Sequence, residues 1–169
     1  MGLMSFFKEA GEKLFGHKDA EAAAQQAQAA PDDAARQAAA AEANQKAAGA
    51  ILTYIGTQNL SASGLSLDFD GGTSTVTVRG EADDQATKEK ILLCCGNVTG
   101  VAQVSDQMTV AAPADESKFH TVVRGDTLSA IAKTYYGNAN QYMKIFEANK
   151  PMLGNPDKIY PGQLLRIPA

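Results

Sequence analysis

Seventeen of the thirty-two residues from Asp19 to Ala50 are alanine, and Gln, Asp and Glu fill most of the rest. Alanine favours helix intrinsically, but a helix without large apolar side chains buries little and gains little from packing. This stretch cannot supply a core, so the core must come from the flanking segments. Pro31-Asp32-Asp33 is a start signal, with the proline near a first turn and the acids complementing a helix N-terminus. The pattern predicts a frayed or mobile Ala/Gln-rich tether over 19–33. A helix then runs from about Asp32 to Ile55, and only its end, with Ala47, Ala48, Ile51, Leu52 and Ile55, carries a core stripe.

On the N-terminal side, Leu3, Phe7, Ala10 and Leu14 recur at helical spacing, with charged residues off that stripe. An amphipathic N-terminal helix over 1–18, docked on the protein's own core, is expected. On the C-terminal side, Leu65, Leu67 and Phe69 alternate with Ser66, Asp68 and Asp70, and Val76 and Val78 alternate with threonines. Asp70-Gly71-Gly72 supplies the turn of a strand pair. A helix from about Ala82 to Cys95, stopped by Gly96, leads to a third strand with Val104, Met108 and Val110. Helix, strand, strand, helix, strand makes a small α+β layer with helices on one sheet face.

The run 111–118 is a linker by composition, after which the pattern restarts. Phe119 to Val123 is a short strand, Leu128, Ile131, Ala132 and Tyr135 form one helical stripe, and Tyr142, Ile145 and Phe146 form a second. Leu164 to Ile167 closes the chain as a strand. A chain of 169 residues is long enough for two such small units. The fold class expected is therefore α+β, with α-β-β-α-β over 34–110 and β-α-α-β over 119–169.

Fifteen basic against nineteen acidic side chains leave a net charge of −4, which excludes the basic face of an electrostatic nucleic-acid binder. No apolar run approaches the ~20 residues needed to span a bilayer, and the first fifteen residues lack the features of a secretory signal. Cys94 and Cys95 are adjacent and cannot staple distant parts of the chain. They read as small buried hydrophobes. A soluble, reduced, cytoplasmic protein is expected. Enzymatic activity is not: His17 and His120 sit in separate segments with neither a nucleophile nor metal-ligand spacing around them. Asp68-Phe69-Asp70-Gly71-Gly72 invites a calcium reading and fails it, because the sixth and twelfth places of an EF-hand loop would hold Thr73 and Arg79 where Gly and Glu are needed. The loop Gly96-Asn97-Val98-Thr99-Gly100-Val101 follows a helix whose last carbonyls are unpaired and partially negative. Its composition suits either a helix cap and tight turn or a ring of carbonyls around a large, weakly hydrated cation.

Phe119-His120-Thr121-Val122-Val123, Gly125-Asp126-Thr127-Leu128-Ser129-Ala130-Ile131-Ala132, Ile145-Phe146-Glu147-Ala148-Asn149, Asp157-Lys158-Ile159-Tyr160-Pro161-Gly162-Gln163 and Leu165-Arg166-Ile167-Pro168 closely resemble the spaced blocks of a LysM domain. Asp126 or Thr127 is expected to cap its first helix. Val76-Thr77-Val78-Arg79-Gly80 and Gly100-Val101-Ala102-Gln103-Val104 give residues 34–110 a weaker resemblance to a BON domain. Joined to the opening Phe6-Phe7-Lys8-Glu9-Ala10-Gly11-Glu12-Lys13-Leu14, the combination is similar to the bacterial cytoplasmic potassium-binding BON–LysM family.

That resemblance implies a monomeric, cytoplasmic potassium sensor or buffer that compacts on binding. Its ion would be held by the main-chain carbonyls of Phe7, Ala10, Gly96, Val98 and Val101. Phe7 departs from the family's side-chain pattern, a change that a carbonyl ligand tolerates if its segment keeps its place. Truncating Asn97 or Thr99 should then matter little, whereas Gly96→Val should matter much. LysM domains elsewhere bind N-acetylglucosamine polymers such as peptidoglycan. The matching groove here would comprise Gly125, Asp126, Thr127 and Leu128 on one side and Asn155, Pro156, Asp157, Lys158 and Ile159 on the other.

Overall fold

The computed structural model describes residues 2–169. The alanine-rich stretch is ordered as a helical hairpin. Helix α1 (His17–Ala29) turns through 30–33 into the 24-residue α2 (Ala34–Thr57), whose N-cap Asp33 accepts hydrogen bonds from the Ala35 and Arg36 N–H groups. The expected tether is thus corrected. Ala20, Ala24 and Ala27 form a buried stripe on α1, and Ala40 and Ala47 are buried on α2. Gln37 Nε2 donates to the Ala27 carbonyl at 2.9 Å across the turn. Small side chains let the two helix backbones approach closely, so the contact each helix lacks alone is supplied by the other.

The strand pair follows as β2 (Ser63–Asp70) and β3 (Thr75–Asp84), in antiparallel register with Phe69 opposite Val76 and Leu67 opposite Val78. Asp70 Oδ1 accepts the Gly72 N–H at 2.9 Å. Asp68 pairs with Arg79 on the exposed sheet face. The aspartates are therefore turn and surface residues, as the alternation implied. Helix α3 (Gln85–Gly96), capped by Asp84 accepting from the Thr87 N–H at 2.7 Å, starts three residues later than expected because Ala82 is still in β3. It is the crossover that lets β4 (Gln103–Ala112) lie parallel to β3. Ile51 and Ile55 of α2 and Ile91, Cys94 and Cys95 of α3 meet Phe69, Val76, Val78 and Val104 in one core. Burial pushes the Cys94 thiol up to about 12 and the Cys95 thiol well above its ordinary value, which favours the protonated, unreactive form of both.

The expected N-terminal helix is not formed. Gly2–Ser5 is instead a strand, β1, antiparallel to β4 with Met4 opposite Val104, which makes the sheet order β1-β4-β3-β2. Two effects override the helical spacing. The bare edge of β4 offers unpaired backbone groups that β1 satisfies. Gly11 has φ +109, and a Cβ there would lie 2.1 Å from the Asn97 carbonyl oxygen, so the chain runs flat against the loop after α3. Leu14 and Phe15 still pack on the core, Phe15 edge-on to Phe69 with ring centroids 5.1 Å apart.

The second unit pairs β5 (Lys118–Thr121) antiparallel with β6 (Leu164–Ile167). Between them lie α4 (Leu128–Tyr136), a 3-10 turn over Ala139–Gln141 and α5 (Tyr142–Ala148). Thr127 is the α4 cap, accepting from the Ala130 N–H at 3.2 Å. Asp126 turns away to pair with His120 at 2.8 Å and to accept the Val123 N–H. Ile131, Ile145, Leu165 and Ile167 centre a separate small core. The fold is α+β throughout.

Candidate functional site

Helix α3 ends at Gly96, and the loop to β4 turns tightly, with the Val101 N–H on the Val98 carbonyl at 3.1 Å. Buried Val98 and Val101 side chains anchor this turn in the core. The N-terminal segment 6–12 lies alongside and is stitched to it. Phe6 N–H donates to the Ala102 carbonyl at 2.8 Å, Glu12 N–H to Asn97 at 3.0 Å and Thr99 N–H to Glu12 at 2.8 Å. The Gly100 N–H donates to the Lys8 carbonyl, and Thr99 Oγ1 adds a bond to the Gly11 carbonyl at 2.9 Å. Segments about ninety residues apart in sequence, such as Gly11 and Thr99, thus face each other with their backbones.

The five carbonyls expected at the ion all lie in these two segments. The Phe7 carbonyl accepts from the Ala10 N–H at 3.0 Å, and that of Val98 from Val101. Each has a second lone pair. Among the described residues, the carbonyls of Ala10, Gly96 and Val101 receive no hydrogen bond. The donor set is hard, neutral oxygen, and no group of three His, Cys, Asp or Glu side chains competes with it among the described residues. That chemistry suits a weakly hydrated monovalent cation better than a transition metal. Gly96 ends the helix for a steric reason. Its backbone is not left-handed; the residue is glycine because a Cβ would sit 2.0 Å from the Phe6 ring.

The second unit docks on the same loop. The Asn97 side-chain amide bonds the backbone of Leu164. A Cβ on Gly162 would lie 2.9 Å from Phe7 Cβ and 3.2 Å from Ala10 Cβ, so the turn before β6 rests on the N-terminal arc. Beside it, the Arg166 guanidinium pairs with Glu89, whose side chain is only 3% exposed and also accepts from Gln85 and the Ser117 N–H. Burial raises the Glu89 carboxyl, but the bonds from Arg166, Gln85 and Ser117 outweigh it and hold the group below its ordinary value. The sequence left no signal for these contacts, because an Asn after a helix-ending Gly reads as an ordinary cap.

The two segments expected to form a glycan groove also meet. Thr127 and Leu128 face Pro156 and Asp157 across a cavity of about 280 Å³ that Ser129 and Tyr142 complete. Asn155 Oδ1 accepts the Asp157 N–H at 2.8 Å and its carbonyl accepts from Lys158 at 3.1 Å, which fixes that loop. Gly125, with φ +95, shapes the turn before α4, and Ile159 packs on the small core. The Asp126 carboxylate, held down by its bonds from His120 and the Val123 N–H, is occupied within the turn.

This architecture defines a BON domain followed by a LysM domain. The BON family model matches residues 45–112 and the LysM family model residues 120–168. The chain is 47% identical over 169 residues to the potassium binding protein Kbp of Escherichia coli O6:H1 (strain CFT073), covering 99% of each chain. It therefore belongs to the BON–LysM family that includes Kbp. An uncharacterized protein of Deinococcus radiodurans shares 52% identity over 50 residues, which are 30% of this chain and 19% of that one. Among the described residues, no helix is long and apolar enough to cross a membrane.

Proposed function

We propose that this protein binds a potassium ion with the backbone carbonyls of Phe7, Ala10, Gly96, Val98 and Val101, and serves as a cytoplasmic, monomeric sensor or buffer without catalytic activity. The observation that carries the reading is the pairing of segment 6–12 with loop 96–102, which leaves the Ala10, Gly96 and Val101 carbonyls without donors. The potassium-binding name of the relative that matches the whole chain supports it. Carbonyl dipoles replace the hydration shell of a large monovalent ion, and the C-terminal end of α3 adds partial negative charge. An ion that draws on both segments stabilises only their joined arrangement, so it shifts the population toward the compact, domain-docked form.

Calorimetry of the metal-free chain with potassium, sodium and calcium chlorides tests the reading. Heat with potassium is expected; heat with calcium and none with potassium overturns it. A second reading, peptidoglycan binding through the LysM domain, draws on the cavity between Thr127, Leu128, Pro156 and Asp157. Retention of the chain on insoluble peptidoglycan would favour it.

A further inference from the structure

Helix α1 lies outside both matched domain regions, yet its first two turns are built onto the proposed ion loop. Lys8, between Phe7 and Ala10, pairs through Nζ with Glu21 Oε1 at 2.8 Å. His17, the first residue of α1, lies over Gly100: a Cβ added to that glycine would sit 2.1 Å from His17 Cβ and 3.4 Å from the Phe15 ring. Gly100 has φ +98, and its N–H is bonded to the Lys8 carbonyl. Lys8, α1 and Gly100 thus form a closed triangle around the arc that carries two of the five ligands.

The body of α1 is fixed by further contacts. Its Ala20, Ala24 and Ala27 stripe is buried, the Ala20 carbonyl lies against Gly71, and Asn44 Oδ1 of α2 accepts the Gly71 N–H at 2.9 Å. Glu21, one-third exposed and off that stripe, is not needed for the hairpin's own packing, whereas His17 continues the stripe by one turn and is largely buried. The His17 Nε2 is buried without a hydrogen-bond partner, with Glu9 Oε1 3.6 Å away. The rest of the side chain packs on the glycine beneath it.

We propose that α1 is a positioning clamp for the potassium loop: Glu21 through Lys8, and His17 through Gly100, hold the Phe7–Ala10 arc in the spacing the carbonyl ring requires. The proposal rests on the potassium reading above. A pre-set ring binds more tightly because less ordering is left to do on binding. The clamp acts on affinity, and Glu21 and His17 are positioning residues that never touch the ion.

The test uses the full chain and potassium chloride in a calorimeter, with melting temperature measured separately in potassium-free buffer. Glu21→Gln should weaken potassium binding about two- to fivefold, the range of an ion pair whose side chains are about one-third exposed, without moving the potassium-free melting temperature. The swapped pair Lys8→Glu with Glu21→Lys should recover most of that loss. His17→Ala should weaken binding comparably, and because its side chain is largely buried the potassium-free melting temperature should fall as well, so its affinity is read at a temperature where the metal-free variant is fully folded. Parent-like affinity in both Glu21→Gln and His17→Ala overturns the clamp. So does an affinity loss that the swapped pair leaves unrepaired, or one in Glu21→Gln matched by an equal loss of potassium-free stability. A parent chain that takes up no potassium removes the potassium reading itself, before any variant is compared.

Discussion

Asn97 spends both ends of its side-chain amide on one residue of the other domain: Nδ2 donates to the Leu164 carbonyl at 3.0 Å, and Oδ1 accepts the Leu164 N–H at 3.0 Å. The amide thereby acts as a short extra strand beside β6. It hangs from the peptide between Gly96 and Val98, so the LysM domain grips the BON loop at the point where the proposed ligands lie.

Asn97→Ala should consequently do more than a truncation beside a backbone site would suggest. Two hydrogen bonds worth about 0.5–1.5 kcal/mol each are lost, and the Leu164 backbone loses both partners. The expected outcome is a destabilisation of about 1–3 kcal/mol and weaker potassium binding, accompanied by a larger scattering radius. The expectation from sequence, that this side chain is dispensable for binding, followed from the ligands being backbone carbonyls and took no account of the bonds to Leu164. Unchanged radius and affinity would restore it.

The Glu89–Arg166 pair makes docking acid-sensitive. The Glu89 carboxyl lies below its ordinary value of 4.5 in the folded chain. Its contribution is present above that value and lost as pH falls from there through the folded value. As pH falls below about 4.5, scattering and melting temperature should show the domains loosening before the two small cores unfold. Asp126 is also depressed, so Arg166→Met is the control. It should cost about 2–3 kcal/mol at pH 7 and flatten the part of the acid response that belongs to Glu89.

Gly96→Val should abolish potassium uptake, for a steric reason. A Cβ at Gly96 would meet the Phe6 ring at 2.0 Å, displacing the residue whose N–H joins the N-terminal segment to Ala102. Asp68→Asn with Asp70→Asn should leave uptake unchanged, because those carboxylates serve Arg79 and the Gly71-Gly72 turn. Potassium titration of the two variants side by side separates a carbonyl site from a carboxylate one. Loss of binding in the aspartate variant with retention in Gly96→Val would reverse the assignment.

What could be read from sequence follows from how local each determinant is. The alternations Leu65-Leu67-Phe69 and Val76-Val78 place β2 and β3 because one strand face is buried whatever else the chain does. Thr127, one of the two caps expected for its helix, bonds an N–H three residues on, whereas the Asp84 cap was hidden because the helix was expected to start at Ala82. The N-terminal segment was misread because its fate depends on the edge of β4 a hundred residues away, and spacing alone is silent about that. Helix α1 was misread for a related reason: alanines at 20, 24 and 27 gain a partner only once α2 folds back. Carbonyl ligands leave no side-chain pattern at all, so the ion loop became specific only through its family resemblance. The positions that fix it, Gly11, Asn97 and Gly100, show their role only when the two segments are seen in contact.

The carbonyl mechanism makes an asymmetric prediction within one short segment. Phe7 is 62% exposed and its ring is not needed for a backbone ligand. Phe7→Ala keeps the Cβ that rests near Gly162, so potassium affinity should stay within about twofold of the parent, well under the tenfold that 1.4 kcal/mol represents. Gly11 has no side chain to lose, yet Gly11→Ala should be the damaging change. An alanine held at φ +109 costs about 1–3 kcal/mol, and its methyl would meet the Asn97 carbonyl 2.1 Å away. Relief of that contact moves Gly11 off Thr99 and Glu12 off Asn97, which opens the arc from the loop. Affinity for potassium should fall more than tenfold, with the far-ultraviolet circular dichroism of α2 and α3 retained. If Phe7→Ala loses binding while Gly11→Ala keeps it, the aromatic ring and not the backbone holds the ion, and the five-carbonyl assignment fails.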